Sequence, residues 1–320
     1  MKISYIIPCY RSVDTLEAVV NEIDNTMESL DGHEYEIILV NDNSPDDTYE
    51  VIKSLCQKKP YLIGIDLARN FGQHAALMAG FRISSGDIVI CLDDDGQTPA
   101  PEAVKLINAL EDGADVAYAK YIQKQHSGFR NIGSRINDLM ARVMLGKPKK
   151  LYISSYFAVK RFIADEIKRY DGAYPYVIGL VLRATRNIVN VDVTHRARFS
   201  GTSGYTMRKL FALWLNGFTA FSIKPLRVAT LVGALCALSG FVYAVYTIAR
   251  RIFIQPEGYV TGFAATISAV LFIGGLILLM LGLVGEYIGR MYITMNNSPQ
   301  YVIRETIPPV IASGAKQSIR

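Results

Sequence analysis

The sequence predicts an α/β domain built on a mainly parallel sheet, followed by an amphipathic helix and a pair of membrane-crossing helices. Three observations predict it. Short, near-continuous apolar runs alternate with amphipathic stretches through residues 1–203, the pattern of strands buried on both faces. Polar and charged residues gather just after those runs, where parallel sheets place their ligands. Residues 228–249 and 259–285 carry no charge, and a helix needs about 20 apolar residues to cross a bilayer core.

The elements follow in order. The runs 3–7, 36–40, 62–65, 88–92 and 116–119 read as buried strands. After the first, Leu16, Val19, Val20, Ile23, Met27 and Leu30 form one helical stripe, with Asp14 and Glu17 spaced like a capping box. Further on, Met207, Leu210, Phe211, Trp214, Phe218 and Phe221 recur at helical spacing. Residues 204–227 therefore read as an interfacial amphipathic helix and linker, with the lone tryptophan at headgroup depth. The spans 228–249 and 259–285 follow, joined by a short loop at 250–258, so both ends of the pair face the same side. Arg208, Lys209, Lys224 and Arg227 precede the pair and Arg290 and Arg304 follow it, against Arg250 and Arg251 in the loop. The positive-inside rule then places the N-terminal domain and the 286–320 tail in the cytosol and the loop outside it. Residues 305–320 read as a disordered end of that tail.

Composition narrows the class. Of 320 residues, 50% are hydrophobic and 20% charged, enough apolar surface to offset the entropy of ordering. The apolar part of the N-terminus is too short for a secretory signal. The four cysteines, Cys9, Cys56, Cys91 and Cys236, are scattered without a CxxC pair, which excludes a zinc or disulfide framework and fits reduced thiols. The net charge of +5 is too mild to indicate nucleic acid. It suits a membrane surface or a phosphorylated substrate.

Four polar segments follow strand ends: Pro8-Cys9-Tyr10-Arg11, the run from Asn41-Asp42-Asn43-Ser44, the run Arg69-Asn70-Phe71-Gly72-Gln73-His74, and Asp93-Asp94-Asp95-Gly96-Gln97. No GxGxxG occurs after the first strand, which speaks against a dinucleotide site. Three adjacent carboxylates repel one another and call for a cation. Asp93 and Asp95 point the same way if strand geometry persists, and suit a hard ion such as Mg2+ or Mn2+, which takes one or two carboxylates and completes its shell with water and phosphate oxygens.

The ordered set Ile7-Pro8-Cys9-Tyr10, Val40-Asn41-Asp42-Asn43-Ser44 and Asp93-Asp94-Asp95-Gly96-Gln97 resembles the family 2 glycosyltransferases of GT-A fold. The run Arg69 to Gly80, with Gly201-Thr202-Ser203-Gly204-Tyr205 and Gly285-Glu286-Tyr287-Ile288-Gly289-Arg290, narrows the resemblance to the polyprenyl-phosphate glycosyltransferases. That group includes the bactoprenol glucosyl-, dolichol-phosphate mannosyl- and undecaprenyl-phosphate aminoarabinose transferases. The resemblance implies an inverting, metal-dependent transferase moving a sugar from a UDP- or GDP-linked donor to a polyprenyl phosphate at the membrane, and homo-tetramers are among its assemblies. It implies that Pro8, Tyr10 and Asp42 line the nucleotide, and that Asp93, Asp95 and Gln97 hold Mg2+ or Mn2+ and the donor diphosphate. It places Arg130, Ser134 and Arg135 at the acceptor phosphate, with Arg196 or Arg198 reaching the diphosphate or the acceptor phosphate, a role that suits planar guanidinium forks. Asp93, Asp95, Arg130 and Arg135 would carry the catalysis.

One stretch departs from the pattern. Many relatives carry an aspartate near the acceptor, and at that position stands Ser155. This leaves room for a membrane scaffold that binds a nucleotide without turnover. A processive polysaccharide synthase needs a Gln-x-x-Arg-Trp-like motif, and the only tryptophan, Trp214, follows Phe211-Ala212-Leu213 instead.

Overall fold

The computed structural model describes residues 1–30, 32–121, 142, 147–194, 196, 224–254, 263–296 and 298–309. They form two units, one comprising 1–212 with 297–320 and the other 213–296.

The first unit is an α/β sheet domain. Its strands are β1 (Lys2–Cys9), β2 (Glu34–Asn41), β3 (Leu62–Leu67), β4 (Ile88–Cys91), β5 (Val116–Tyr121), β6 (Phe157–Lys160), β7 (Ile188–Val193) and β8 (Ile303–Ile307). They lie in one sheet in the order β7-β5-β6-β4-β1-β2-β3-β8. The pairs β1–β2, β1–β4, β2–β3 and β5–β7 are parallel. β6 runs antiparallel to β4 and β5, and β8 antiparallel to β3. Among the described residues this unit also has helices α1 (Leu16–Glu28), α2 (Thr48–Lys58), α3 (Gln73–Ile83), α4 (Ala103–Glu111), α5 (Arg161–Lys168) and α6 (Val177–Ala184). The five expected strands are present. β6, β7 and β8 are additions, and β8 corrects the expectation of a disordered 305–320 end at its start: residues 303–307 form an edge strand, because β3 offers them a row of backbone partners, while residues 310–320 lie outside the described residues.

Local sequence explains the packing. On α1, Leu16, Val19, Val20, Ile23 and Met27 are buried against the sheet, as their spacing demands. The expected capping box does not form. The Ser12 carbonyl accepts the Thr15 and Leu16 amides, so the helix begins at Leu16, and its N-cap, Thr15, makes no side-chain cap bond. Helix α3 presents Ala75, Ala76, Ala79 and Gly80 as buried small residues. A methyl at Gly80 would collide with Ile6 Cγ2 on β1, so the glycine sets how near α3 lies to the sheet. Gly80→Ala should destabilise the domain by about 1–3 kcal/mol, the scale of overpacking a filled core. Thermal unfolding in detergent should show this as a midpoint several degrees lower; an unchanged midpoint would show that α3 shifts freely on β1.

The second unit contains two long helices, α7 (Lys224–Ile254) and α8 (Phe263–Met295), which pack on each other. α7 opens inside the segment expected as linker and runs through Arg250 and Arg251, which were expected in a loop. α8 continues past residue 285, into the segment expected as tail. At about 1.5 Å per residue each is longer than the roughly 30 Å hydrocarbon core of a bilayer, so charges at the helix ends need not lie within it. Among the described residues one stretch is long and apolar enough to cross a membrane, Phe272–Met295, and a shorter apolar stretch covers Ala229–Gly240. Leu231, Leu235 and Leu238 on α7 and Phe272, Leu278 and Leu281 on α8 are exposed apolar side chains.

Candidate active site

Parallel pairing brings the carboxyl ends of β3, β2, β1 and β4 side by side, and the polar segments read from the sequence meet there. Pro8 sits on β1 opposite Val40 of β2. Tyr10, just beyond β1, is exposed, and its backbone N–H donates to Asp94 Oδ2 at 3.0 Å. The Ser12 hydroxyl donates to the same oxygen. Of the three consecutive carboxylates, Asp94 is thus used to fasten the turn after β1 to the end of β4.

Asp42 follows β2 and is 4% exposed. Its two carboxylate oxygens accept the Phe71 N–H at 2.7 Å and the Gly72 N–H at 2.8 Å, and the Asn70 amide donates to its carbonyl at 3.1 Å. Burial raises its pKa against the two amide bonds that favour the charge. Gly72, at φ 90°, takes a left-handed conformation that suits glycine and turns the chain into α3. At the first turn of α3 the His74 imidazole lies edge-on to Tyr176, with ring centroids 4.9 Å apart. Burial pulls its pKa down to about 4, so the ring is neutral at physiological pH.

Asp93 is the most perturbed of the carboxylates. The Gln73 side-chain amide donates to its Oδ1 at 3.0 Å and the Ser155 hydroxyl to its Oδ2. Asp95 Oδ1 accepts the Gln97 N–H at 3.0 Å. Burial pushes the Asp93 pKa up to about 6, helped by the charges of Asp95 and Asp94 and opposed by Ser155 and Gln73. A partly buried carboxylate beside two like charges is relieved by a proton or by a cation. Among the described residues each Asp93 oxygen takes one hydrogen-bond donor, which leaves a second lone pair for a ligand. Among the described residues no three acidic, histidine or cysteine side chains form a closed metal cage. An all-oxygen, two-carboxylate set is what a hard cation shared with a phosphate substrate needs, so Asp93 and Asp95 fit Mg2+ or Mn2+. A cation held there would compete with the proton for Asp93, since a metal-bound carboxylate is ionised. The concentration of Mg2+ needed for half-maximal activity should therefore rise as pH falls through about 6, and level off above it. A requirement unchanged between pH 5 and pH 7.5 would separate Asp93 from metal binding.

Arg196 joins this end of the sheet through its backbone, donating to the Gln97 carbonyl at 3.3 Å. Its guanidinium turns to Glu22 of α1 at 2.6 Å. Arg130, Ser134, Arg135 and Arg198 lie outside the described residues. Ser12 and Gln73 carry no pattern in the sequence that marks them as partners of Asp94 and Asp93. The sequence marks Ser155 only as a missing carboxylate, although the hydroxyl is a donor placed on Asp93.

Comparison with known proteins agrees with this geometry. Residues 4–168 match the model of glycosyl transferase family 2, and residues 224–291 match that of the GtrB C-terminal hairpin. An undecaprenyl-phosphate 4-deoxy-4-formamido-L-arabinose transferase of Serratia proteamaculans is 35% identical over 309 residues, covering 96% of this chain and 94% of its own. The protein of the same name in Pectobacterium atrosepticum is 34% identical over 307 residues, or 95% and 93%. Among solved structures, glucosyl-3-phosphoglycerate synthase of Mycobacterium tuberculosis, crystallised with Mn2+, UDP-glucose and phosphoglyceric acid, has TM-score 0.51 at 19% identity over 67% of this chain and 76% of its own. Mannosyl-3-phosphoglycerate synthase of Rubrobacter xylanophilus has TM-score 0.50 at 16% identity over 68% and 71%. These two likenesses support a GT-A fold, and the hairpin match with the curated relatives points to a membrane protein.

Proposed function

We propose, from the premise that this chain belongs to glycosyl transferase family 2, that it is a glycosyltransferase moving a sugar from a nucleotide-sugar donor to the phosphate of a polyprenyl phosphate. The observation that carries the reading is the pair Asp93 and Asp95 at the end of β4, beside the Asp42 loop and the turn after β1. Support for the lipid acceptor comes from the relatives' activity and from the apolar side chains exposed on α7 and α8.

The reaction is a single displacement with inversion. A phosphate oxygen of the acceptor bonds to the anomeric carbon as the bond from that carbon to the nucleoside diphosphate breaks, and the electron pair leaves on the diphosphate. A phosphate monoester has its second pKa near 6 and is mostly a dianion at neutral pH, so the nucleophile needs no side-chain base. This is compatible with a serine at position 155, where the resemblance implies an aspartate. Pro8, Tyr10 and Asp42 line the nucleotide. Asp93 and Asp95, with Gln97 beside them, would hold Mg2+ or Mn2+, whose chemistry when bound is Lewis-acid relief of charge on the departing diphosphate. Gln73 and Ser155 fix the Asp93 carboxylate in place. Arg130 and Arg135 draw the acceptor dianion towards an anionic donor, with Ser134 and Arg198 as further phosphate contacts; Arg196 joins them only by leaving Glu22, which holds its guanidinium here. Helices α7 and α8 span the membrane as a hairpin with both ends cytosolic, and alignment of donor and acceptor supplies much of the rate.

The test incubates the purified full-length protein with Mg2+, polyprenyl phosphate and a panel of UDP- and GDP-sugars labelled in the sugar. Label is expected in the lipid phase with at least one donor, and only when the acceptor carries its phosphate. Transfer to polyprenol lacking the phosphate would refute the proposed acceptor.

A further inference from the structure

Strand β8 lies after the hairpin in the sequence yet closes the edge of the sheet beside β3. Its register is irregular: Glu305 pairs with Asp66 and Ile303 with Leu67, so Arg304 is the extra residue between them. Such an irregularity re-aims a side chain. Here the Arg304 guanidinium reaches Asp66 Oδ2 at 2.8 Å, the Ala68 carbonyl at 2.8 Å and Asn43 Oδ1 at 3.3 Å.

These contacts lead to the loop that carries Asp42. Asp66 is 2% exposed, and its other oxygen accepts the Asn41 side-chain amide at 2.7 Å. Asn41 Oδ1 in turn accepts the Ser44 N–H at 3.2 Å. Between them Asn43 stands at φ 49°, a left-handed conformation that asparagine tolerates better than most residues. Arg304 therefore braces the 41–44 loop twice, directly at Asn43 and through Asp66 and Asn41. A buried carboxylate without its cation is costly, so loss of the guanidinium is felt at Asp66 and passed to the loop.

We propose that Arg304, from the strand after the hairpin, is a positioning residue for the donor nucleotide, holding the 41–44 loop in its binding shape. This rests on the functional reading above. The experiment compares full-length wild type, Arg304→Ala, Arg304→Lys and Tyr49→Phe. The last removes the bond from the Tyr49 hydroxyl to Glu305 Oε2 at 2.9 Å, a contact on the same strand that avoids the loop.

UDP and GDP affinities are measured with Mg2+ by calorimetry, and hydrogen exchange of the 41–48 peptide without nucleotide. For whichever nucleotide binds wild type, Arg304→Ala should weaken affinity about tenfold and speed exchange in that peptide. Arg304→Lys, which keeps the charge opposite Asp66, should recover part of both. Tyr49→Phe should stay within about twofold of wild type. Unchanged affinity in a folded Arg304→Ala protein overturns the inference and leaves the functional reading standing. Equal losses in Arg304→Ala and Tyr49→Phe also overturn it, since they would reduce Arg304 to docking the strand. A wild type that binds neither nucleotide overturns the functional reading, and this inference with it.

Discussion

Asp95→Ala in the full-length protein is expected to cut turnover by at least roughly 10²-fold, the scale of losing one electrostatic contact made to charge that develops in the transition state. The three carboxylates after β4 are not equivalent. Asp94 is occupied by the Tyr10 amide and the Ser12 hydroxyl, so its replacement should act mainly through the shape of the turn after β1. Asp93 is held by Gln73 and Ser155, and Asp95 stands next to it in the same turn. In the proposed mechanism the two form one cation-binding unit, so removing either should cost far more than removing one of the bonds that orient them. A chelator should reproduce the loss in the wild type, and Mg2+ or Mn2+ should restore the rate. Full turnover in excess chelator would remove the cation, and the role given to Asp95, from the mechanism.

Asp42→Ala should be nearly as damaging, but on the donor side. Its carboxylate satisfies the Phe71 and Gly72 amides, and an unsatisfied buried donor costs about 1–3 kcal/mol. With tenfold in an equilibrium or rate for every 1.4 kcal/mol or so, two such amides place the loss of kcat/KM on the order of 10²-fold. The effect should spread, because the same amides open α3, whose Gln73 holds Asp93. Asp42→Asn keeps an oxygen for one amide and should fall between alanine and wild type. Steady-state kinetics should show most of the loss in donor KM. An Asp42→Ala enzyme with wild-type donor KM would mean that the nucleotide does not depend on this loop.

The sequence made the centre of the molecule legible and its edges obscure, for physical reasons. Strands β1 to β4 lie inside the sheet, and burial on both faces writes them as apolar runs such as Ile3, Tyr5, Ile6 and Ile7. β7 and β8 stand at its two edges. Ile188–Val193 is only partly buried, and Ile303–Ile307 carries Arg304 and Glu305 on a largely exposed segment. A five-residue segment with two charges has no periodicity to distinguish it from a tail, yet its backbone completes the sheet. Ending the domain at residue 203 would therefore remove a strand and the partner of Asp66. The site follows the same division. Adjacent carboxylates at a strand end announce themselves by their mutual repulsion. The Ser155 hydroxyl on Asp93 and the Arg304 guanidinium on Asp66 join residues far apart in the chain, and pattern along one sequence does not report such pairings.

In the proposed reaction one sugar passes to a lipid phosphate as one nucleoside diphosphate is released. Mass spectrometry of the lipid formed by the wild type, with nucleoside diphosphate quantified in the same incubation, tests it most directly. A polyprenyl phosphate heavier by a single glycosyl residue is expected, in one-to-one yield with the released diphosphate, with both products greatly reduced in Asp95→Ala. Diphosphate released without glycolipid, or a lipid carrying a chain of sugars, would contradict it.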